Sequence, residues 1–413
     1  MAYPEQPSAD MPLTTRRACP ACGARLAAWL YGMCFALPDG SPLPSRYDLV
    51  ACRSCGCGFA DTVASEADYI DYYRNFSRYE ETAIATGGGV QPSDRLRLDD
   101  LAGYLSQHIG MTGRIADVGA GNGGLLVSLR KLGYRDLTGF DPSPVCVGHM
   151  REAGLKSQVW AWPMEASGVT EGAESGYDLI VLSHVLEHVY DAHALVATLL
   201  NFLAAEGKLY IEVPDPTRYS NFSFPPFYFF DPEHINHFGE TSLRHLANSL
   251  GLSVVEIGGK GLPLANGATY PALYGLFKQG AETAGTVFSD QRVYGALTGY
   301  IQASRERLSD LRARILFLAD RHPALAIWGA GSLSQRLMSE DWFPRDKLVA
   351  IVDRDSNKDG LSFMGLRIQT PETGLSGLPE GTVVCYAAAI AGEQIARDYS
   401  SMKLPYTCVN IIE

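Results

Sequence analysis

The sequence has no long apolar run, and no stretch approaches the ~20 apolar residues that a membrane-spanning helix needs. Residues 1–20 also lack the basic segment and apolar core of a secretory signal. Cationic residues are scarce, because 34 Lys and Arg face 46 Asp and Glu and leave a net charge of -12. Like-charge repulsion then disfavours a broad surface for nucleic acid or anionic lipid. These absences predict a cytoplasmic protein with neither a nucleic-acid nor a membrane partner.

What is present is an ordinary globular balance, with 46% hydrophobic and 10% aromatic residues in 413. At roughly 150 residues per domain, this length favours two or three domains. We expect residues 1–85 to form a small, loop-rich metal-binding module whose first 15 residues are frayed. Strands and helices alternate from residue 114 onward, so residues 86–280 are expected to form an α/β domain with a doubly wound, mostly parallel sheet. Residues 281–413 read as one long helix followed by a second α/β domain.

Five of the nine cysteines lie within the first 57 residues, in two C-x-x-C-G motifs and one extra position. Cys19 and Cys22 form one motif, and Cys52 and Cys55 form the other. Two such turns can supply four thiolates to a tetrahedral zinc ion. An all-thiolate set leaves no open coordination position, so the prediction is a structural zinc. Two alternatives stay open: Cys57 replaces Cys55 as a ligand, or the motifs are redox-active.

A glycine-rich loop follows the predicted strand at residues 114–118 and opens a helix. Its spacing suits both S-adenosylmethionine (SAM) and NAD, so the loop alone does not separate the two ligands. Asp117 favours SAM, because its carboxylate suits the methionine ammonium and would repel a pyrophosphate. Asp141 ends the next strand, where a carboxylate can accept the ribose hydroxyls. The predicted cofactor-binding residues are Asp117, Gly119, Ala120, Gly121, Asn122, Asp141, Pro142, Glu165 and Ser183.

Candidate catalytic residues follow an aromatic loop at residues 222–230. Glu233 and His234 lie past the carboxyl end of a predicted strand, where an α/β sheet places its substrate. Histidine takes a proton near neutral pH, and a neighbouring carboxylate can orient it and raise its basicity. His188 follows another strand and is a second candidate, with helix capping as the structural alternative. Tyr79 is a third, because the tyrosines after the metal module could reach over the pocket.

The glycine loop, Asp141 and residues 177–188 closely resemble the successive motifs of class I SAM-dependent methyltransferases. The order of the whole chain is more specific. Paired cysteines, a SAM domain with a Glu-His loop and a C-terminal glycine-loop domain resemble the sugar C-methyltransferases that act on nucleotide-linked 4-keto-deoxysugars. This family's Tyr-Asp-Glu-His reads Phe-Asp-Pro-Glu-His here, at residues 230–234.

The resemblance implies a small-molecule partner, a nucleotide-linked sugar, and a monomer or small homo-oligomer. It also implies that His234, after Glu233, removes the proton alpha to the ketone, and that His188 or a tyrosine stabilises the enolate oxygen. An O- or N-methyltransferase of another small metabolite is the nearest alternative. A non-catalytic or NAD-linked assembly partner is another.

A second glycine loop opens the C-terminal α/β domain. Gly329 and Gly331 follow a predicted strand, and Asp353 ends the next one, near the spacing at which an acid binds ribose. Ser334 replaces the third glycine of the dinucleotide pattern. NAD binding is one interpretation, whereas the family resemblance implies a Rossmann-like domain that anchors substrate or is purely structural.

Overall fold

The computed structural model describes residues 10–75, 91–160, 176–222, 225–264, 267–280, 291–388 and 392–412. The strands are β1 (Pro12–Thr14), β2 (Leu26–Cys34), β3 (Arg46–Cys52), β4 (Gly58–Asp61), β5 (Ile115–Val118), β6 (Leu137–Asp141), β7 (Lys156–Val159), β8 (Tyr177–Ser183), β9 (Leu203–Pro214), β10 (Asn236–His237), β11 (Leu252–Pro263), β12 (Thr269–Gln279), β13 (Leu325–Trp328), β14 (Leu348–Val352), β15 (Ser362–Phe363), β16 (Leu366–Gln369), β17 (Val383–Tyr386) and β18 (Thr407–Asn410). The helices are α1 (Glu66–Asn75), α2 (Pro92–Ser106), α3 (Gly124–Lys131), α4 (Pro144–Glu152), α5 (Ala192–Leu200), α6 (Glu240–Ser249), α7 (Gln291–Arg321), α8 (Ser332–Ser339), α9 (Pro371–Gly374) and α10 (Gly392–Met402). None of these helices is both long and apolar enough to cross a membrane.

The N-terminal part of the described chain is a five-stranded antiparallel sheet in the order β1-β2-β3-β4-β10. The expected loop-rich module is therefore wrong, and so is the frayed end at residues 12–14, which form β1. These strands were not predicted because β2 and β4 are buried along most of their length, so they do not alternate apolar with polar residues. Strand β10 arrives from far along the chain, and Asn236 lies opposite Phe59.

The central sheet has seven strands in the order β11-β12-β9-β8-β5-β6-β7. Strands β7, β6, β5, β8 and β9 are parallel, whereas β12 and β11 complete the sheet as antiparallel neighbours. Alternate residues of β8 pack into cores on opposite faces: Leu179 and Val181 lie with residues of α2, α3 and α4, and Ile180 and Leu182 with residues of α5 and α6. The predicted α/β architecture is confirmed here, with helices on both faces of the sheet.

The C-terminal sheet has six strands in the order β15-β16-β14-β13-β17-β18, all parallel except β15. Helix α7, with 31 residues, leads into it. One continuous apolar core joins the three parts of the molecule: it includes Leu49 of the N-terminal sheet, Phe229 of the aromatic loop, Leu297 of α7 and Ile327 of β13. This shared core brings the aromatic loop against both the first and the last sheet.

Candidate active site

The glycine loop after β5 is closed on one side and open on the other. Gly119 has φ +76°, and a Cβ there would lie 2.5 Å from Val185 Cγ2. Gly121 has φ +53°, and a Cβ there would meet nothing within 4 Å. The Gly121 amide donates to Asp141 Oδ2 at 2.8 Å, which ties the loop to the end of β6. A ligand can therefore lie against the backbone beside Gly121 and Asp141, as the sequence predicts for a nucleoside.

Asp117 is a buried carboxyl at the end of β5. Burial, helped by the charge of Asp141, raises the pKa of Asp117 to about 7, although Arg97 opposes the shift. Arg97 extends from α2, where it contacts Asp94 at 3.0 Å and lies 3.8 Å from Glu212. A buried acid in this state is stabilised by a cationic ligand, so the site fits the ammonium of SAM. Arg97 was missed from the sequence because nothing in the α2 pattern points to this loop.

Other predicted cofactor residues serve the loop itself. The amides of Gly119 and Ala120 donate to the Phe140 carbonyl at 2.8 and 3.0 Å. The Asn122 side chain is 2.7 Å from His149 Nδ1. Gly119, Ala120 and Asn122 therefore shape the loop through these contacts. Pro142 is half-buried in the turn after β6, and Glu165 lies outside the described residues.

Ser183, at the end of β8, belongs to a buried polar network around Glu212 of β9. Glu212 Oε1 accepts from Ser183 Oγ at 3.2 Å and lies 3.2 Å from His184 Nε2. Glu212 Oε2 accepts from Tyr210 at 2.7 Å and pairs with Lys260. Burial alone would raise the pKa of Glu212, but His184 and Lys260 lower it, so the carboxylate is ionised.

His184 links this network to the next acid. It adopts φ +57°, and its Nδ1 lies 3.0 Å from Glu187 Oε1. Burial would lower the pKa of His184, but its contacts with Glu187 and Glu212 outweigh burial and raise the pKa to about 9. The imidazole is therefore a cation at neutral pH, which bonds Glu187 through Nδ1 and lies in ion-pair contact with Glu212 through Nε2.

Glu187, His188 and His234 form a compact group at the carboxyl ends of the strands. One ligand-type atom from each lies within 4.8 Å of the other two, a spacing that could hold a metal ion. The centroids of the two imidazole rings, of His188 and His234, lie 4.7 Å apart. Within the described chain, Glu187 Oε2 and His234 Nδ1 are buried without a hydrogen-bond partner. Such orphaned atoms mark a place where a proton, substrate or ion is handled.

His188 and Glu233 are tied to the tyrosines of α1. The Tyr73 hydroxyl lies 2.8 Å from His188 Nδ1, which is also 3.2 Å from the Glu233 carbonyl oxygen. The Glu233 carboxylate accepts from the Tyr72 hydroxyl at 3.0 Å. The structure thus brings His188, Glu233 and His234 together, as predicted, and adds Tyr72 and Tyr73. The predicted Tyr79 lies outside the described residues.

The loop that carries His234 is fastened by Asp231. Its Oδ1 accepts from the amides of Glu233 and His234 at 2.9 and 2.7 Å. The Glu187 carbonyl then accepts from the amides of Ile235 and Asn236 at 2.8 and 3.1 Å. These two pairs of hydrogen bonds therefore fix the backbone on both sides of His234 relative to the turn that carries Glu187.

Arg17 of the N-terminal module is buried against the same two loops. Its guanidinium donates to the carbonyls of Val189 and Ile235, each at 3.3 Å, and to Asn236 Oδ1 at 2.7 Å. Its Nε donates to the Tyr190 carbonyl at 3.1 Å. Residues that directly follow His188 and His234 are therefore held by one side chain from the connection between β1 and β2, which the sequence did not reveal.

The four predicted metal ligands also come together. The Sγ atoms of Cys19, Cys22, Cys52 and Cys55 all lie within 4.8 Å of one another, with Cys19–Cys55 at 3.6 Å and Cys22–Cys52 at 3.5 Å. Tetrahedral coordination at Zn–S distances of about 2.3 Å requires sulfur separations of about 3.8 Å, so the arrangement fits zinc. The Cys57 thiol instead contacts the carbonyls at residues 58 and 237, at 3.5 and 3.7 Å.

The acid that follows the second glycine loop bonds both the loop and a lysine. Asp353 Oδ2 accepts from the Ala330 amide at 2.8 Å and from Lys358 Nζ at 2.9 Å. Burial would raise the pKa of Asp353, but Lys358 lowers it. A lysine therefore neutralises the carboxylate that the sequence places at the ribose-binding position.

Comparison with known proteins assigns the central part of the chain. Residues 93–257 match the model of a methyltransferase-domain family. The chain is 32% identical over 125 residues to a ubiquinone biosynthesis O-methyltransferase in three strains of Xanthomonas oryzae pv. oryzae, which covers 30% of this chain and 50% of that relative. The chain thus spans about half the length of the curated relatives that it matches.

Solved structures resemble part of the chain more distantly. Magnesium protoporphyrin IX methyltransferase from Synechocystis PCC 6803 with bound SAH aligns at 16% identity and a TM-score of 0.40, covering 52% of this chain and 100% of that one. A SAM-dependent methyltransferase from Methanosarcina mazei aligns at 16% identity and a TM-score of 0.35, covering 43% and 98%. The family match is the stronger finding: residues 93–257 match a methyltransferase domain, and the predicted enzyme class is confirmed.

Proposed function

We propose that this protein is a SAM-dependent C-methyltransferase whose acceptor is a nucleotide-linked 4-keto-deoxysugar. The observation that carries the proposal is the pair of imidazoles of His188 and His234, 4.7 Å apart at the carboxyl edge of the central sheet. Two histidines so placed can remove a proton and stabilise the charge that results. The order of the cysteine motifs, the Glu-His loop and the C-terminal glycine loop supports the sugar acceptor.

When bound, SAM supplies an electrophilic methyl group on a sulfonium sulfur. The Asp117 carboxylate would hold its ammonium, and Asp141 would accept from the ribose hydroxyls beside the open face of Gly121. Both acids project from the ends of neighbouring parallel strands, so one ligand can span them. This positions the donor without a contribution from the histidines.

His234 acts as the base. Its neutral imidazole takes the proton from the carbon alpha to the ketone, and the electron pair of the C–H bond moves into an enolate. His188, oriented by Tyr73 and the Glu233 carbonyl, stabilises the enolate oxygen. The enolate carbon takes the methyl group as the bond to sulfur breaks, and the proton on His234 then leaves to solvent. Proton transfer by a placed base contributes about 10²- to 10⁴-fold.

We also propose that the cysteine cluster holds a structural zinc. Four thiolates complete its tetrahedron, so the metal would stabilise the N-terminal sheet and offer no site to the substrate. The C-terminal sheet would be a Rossmann-like domain that holds the nucleotide part of the acceptor. Gly329 and Gly331 fit this role, because a Cβ at either position would meet nothing within 4 Å.

The test is product analysis with methyl-labelled SAM and a panel of nucleotide-linked 4-keto-deoxysugars. We expect a product that carries the label on carbon, and we expect His234→Ala to lower kcat about 10²- to 10⁴-fold while SAM affinity is kept. A label on oxygen, or full activity of His234→Ala, would contradict the proposal.

An O-methyltransferase of another small metabolite is the second candidate. It is favoured by the match to curated relatives named as ubiquinone biosynthesis O-methyltransferases. In that reaction one histidine would deprotonate a hydroxyl group. This function would be supported if no sugar of the panel acquired the labelled methyl group and a phenol or alcohol did.

A further inference from the structure

Glu187 occupies the junction of the two catalytic loops, although the sequence points to Glu233 instead. It is 1% exposed. Its backbone carbonyl holds the amides of Ile235 and Asn236, next to His234. Its Oε1 contacts the cationic His184 at 3.0 Å. Glu187 is therefore fixed at both ends, by its backbone to one loop and by its side chain to the polar network.

The second oxygen of this carboxylate is not used by the polar network, and the carboxylate lies beside the two histidines. Glu187 Oε2 is buried and has no hydrogen-bond partner in the described parts of the chain, and the same holds for His234 Nδ1. A ligand-type atom of Glu187 lies within 4.8 Å of those of both His188 and His234. An ionised carboxylate oxygen left without a donor is strongly unfavourable in a buried site, unless a positive charge forms beside it.

We propose that Glu187 is the positioning residue and counter-charge for His234 during proton removal. The inference rests on the proposed function and deepens it. When His234 accepts the substrate proton it becomes an imidazolium, and Glu187 Oε2 accepts the hydrogen bond that this cation offers. The adjacent carboxylate of Glu233 serves a different contact, with the Tyr72 hydroxyl at 3.0 Å.

A row of side chains with alternating charge keeps Glu187 ionised. His184 lies between Glu187 and Glu212, and Lys260 closes the chain behind Glu212. Each of these charges therefore has an opposite neighbour before the reaction, and the positive charge that forms on His234 in the reaction has Glu187 beside it. The titratable groups that sense the Glu187 charge are His184, His188, His234, His237, Tyr219 and Tyr270.

The experiment compares Glu187→Gln with the wild type on whichever acceptor the wild type methylates. We expect kcat to fall about 10- to 100-fold, less than for loss of the base itself, with KM and SAM affinity within about 2-fold. Because the imidazolium loses its counter-charge, the acidic limb of the kcat profile should move about one pH unit lower. Glu187→Asp, which keeps the charge, should restore part of kcat and keep the wild-type limb.

Glu240→Gln is the matched control, because Glu240 is half-buried on α6 and pairs only with Arg244 within the described chain. It should leave kcat and the profile unchanged. Failure of Glu187→Gln to bind SAM would indicate that this variant does not fold, and Glu187→Asp would then serve as the test. An acidic limb of the kcat profile that is displaced in Glu187→Asp from that of the wild type would overturn the proposal. An unchanged kcat and profile in Glu187→Gln would overturn it as well.

Metal analysis tests the alternative that Glu187, His188 and His234 bind a metal ion. We expect one zinc per chain in the wild type and in Glu187→Gln. A second divalent ion that Glu187→Gln loses would show that Glu187, His188 and His234 are metal ligands and would overturn the inference. A wild type that methylates no 4-keto sugar refutes the proposed function, whereas an active wild type with an unaffected Glu187→Gln refutes this inference alone.

Discussion

At the scale of the residue, the proposed binding of SAM depends on Asp117, a buried carboxyl whose ionised form is unfavourable in the ligand-free protein. Burial and the charge of Asp141 raise the pKa of Asp117 from 3.8 to about 7. Folded protein therefore binds more protons than unfolded protein between these values, and the stability of the ligand-free protein falls as pH rises through this window. A cationic ligand reverses this penalty, so affinity for SAM and stability of the empty site should oppose each other.

Asp117→Asn tests that opposition. We expect SAM affinity to fall roughly 10- to 100-fold, because a charge-assisted hydrogen bond worth about 1.5–3 kcal/mol is lost. The ligand-free variant should be more stable than the wild type at pH 8 by at least about 1 kcal/mol, and the gain should shrink toward pH 5. Calorimetric titration and chemical denaturation at both pH values measure these quantities. Tight SAM binding by the variant would contradict the role given to Asp117.

Tyr73 is expected to act through His188. Tyr73→Phe removes the hydroxyl that lies 2.8 Å from His188 Nδ1, so the imidazole is held less well. We expect kcat to fall about 3- to 10-fold with SAM affinity unchanged, in line with the loss of one neutral hydrogen bond. Tyr104→Phe is the control, since the Tyr104 hydroxyl bonds Glu256. Equal kcat in Tyr73→Phe and the wild type would remove Tyr73 from the site.

At the scale of the element, the loop that carries His234 runs into a strand of the N-terminal sheet. Strand β10 adds to the edge of β4, and Arg17 bonds the residues that follow His188 and His234, the histidines proposed to act in catalysis. A single antiparallel pair of two residues is too short to hold a loop by itself, so the buried guanidinium has the larger effect. In the proposed mechanism, the first sheet thus positions a base that serves a reaction at the edge of the second.

Arg17→Lys should weaken this connection. A lysine keeps the charge but cannot span the same acceptors, so we expect kcat to fall about 10-fold while SAM affinity stays within about 2-fold. Arg16→Lys is the matched control, because Arg16 is largely exposed in its ion pair with Asp61. Steady-state kinetics with SAM titration separate the two effects. Wild-type kcat in Arg17→Lys would show that the loop holds itself.

Elements formed from adjacent residues were the ones that sequence could predict. The unit of β5, glycine loop, α3 and β6 was expected almost to the residue, as was the cysteine cluster, because spacing along the chain dictates both. Glu212 and Arg17 were missed since their roles depend on contacts between distant segments: Arg17 and Asn236 are 219 residues apart. Glu187 was read only as part of a motif, because its buried position emerges when the two loops meet.

At the scale of the whole molecule, one apolar core joins the N-terminal sheet, the aromatic loop, α7 and the C-terminal sheet. The proposed zinc ligands belong to the N-terminal sheet and lie close to Arg17 in sequence, whereas the glycine loop follows β5 of the central sheet. Loss of the metal should therefore disturb catalysis before it disturbs binding of SAM.

Removal of the metal tests this separation. We expect a strong chelator to release one zinc per chain, to lower the midpoint of thermal unfolding and to reduce kcat by at least about 10-fold, whereas SAM affinity changes less. Elemental analysis, calorimetry and kinetics on one preparation give all three values. Cys22→Ser should reproduce the effect. Metal-free protein with full activity would contradict the coupling between the sheets.

The most direct test of the account is exchange of solvent deuterium into the acceptor. Wild-type protein is incubated in heavy water with SAH in place of SAM and a nucleotide-linked 4-keto-deoxysugar, and the recovered sugar is analysed by mass spectrometry. We predict one deuterium at the carbon alpha to the ketone with the wild type, and exchange at least about 10²-fold slower with His234→Ala. Equal exchange by both proteins, in a wild type that methylates the sugar on carbon with SAM, would contradict His234 as the base.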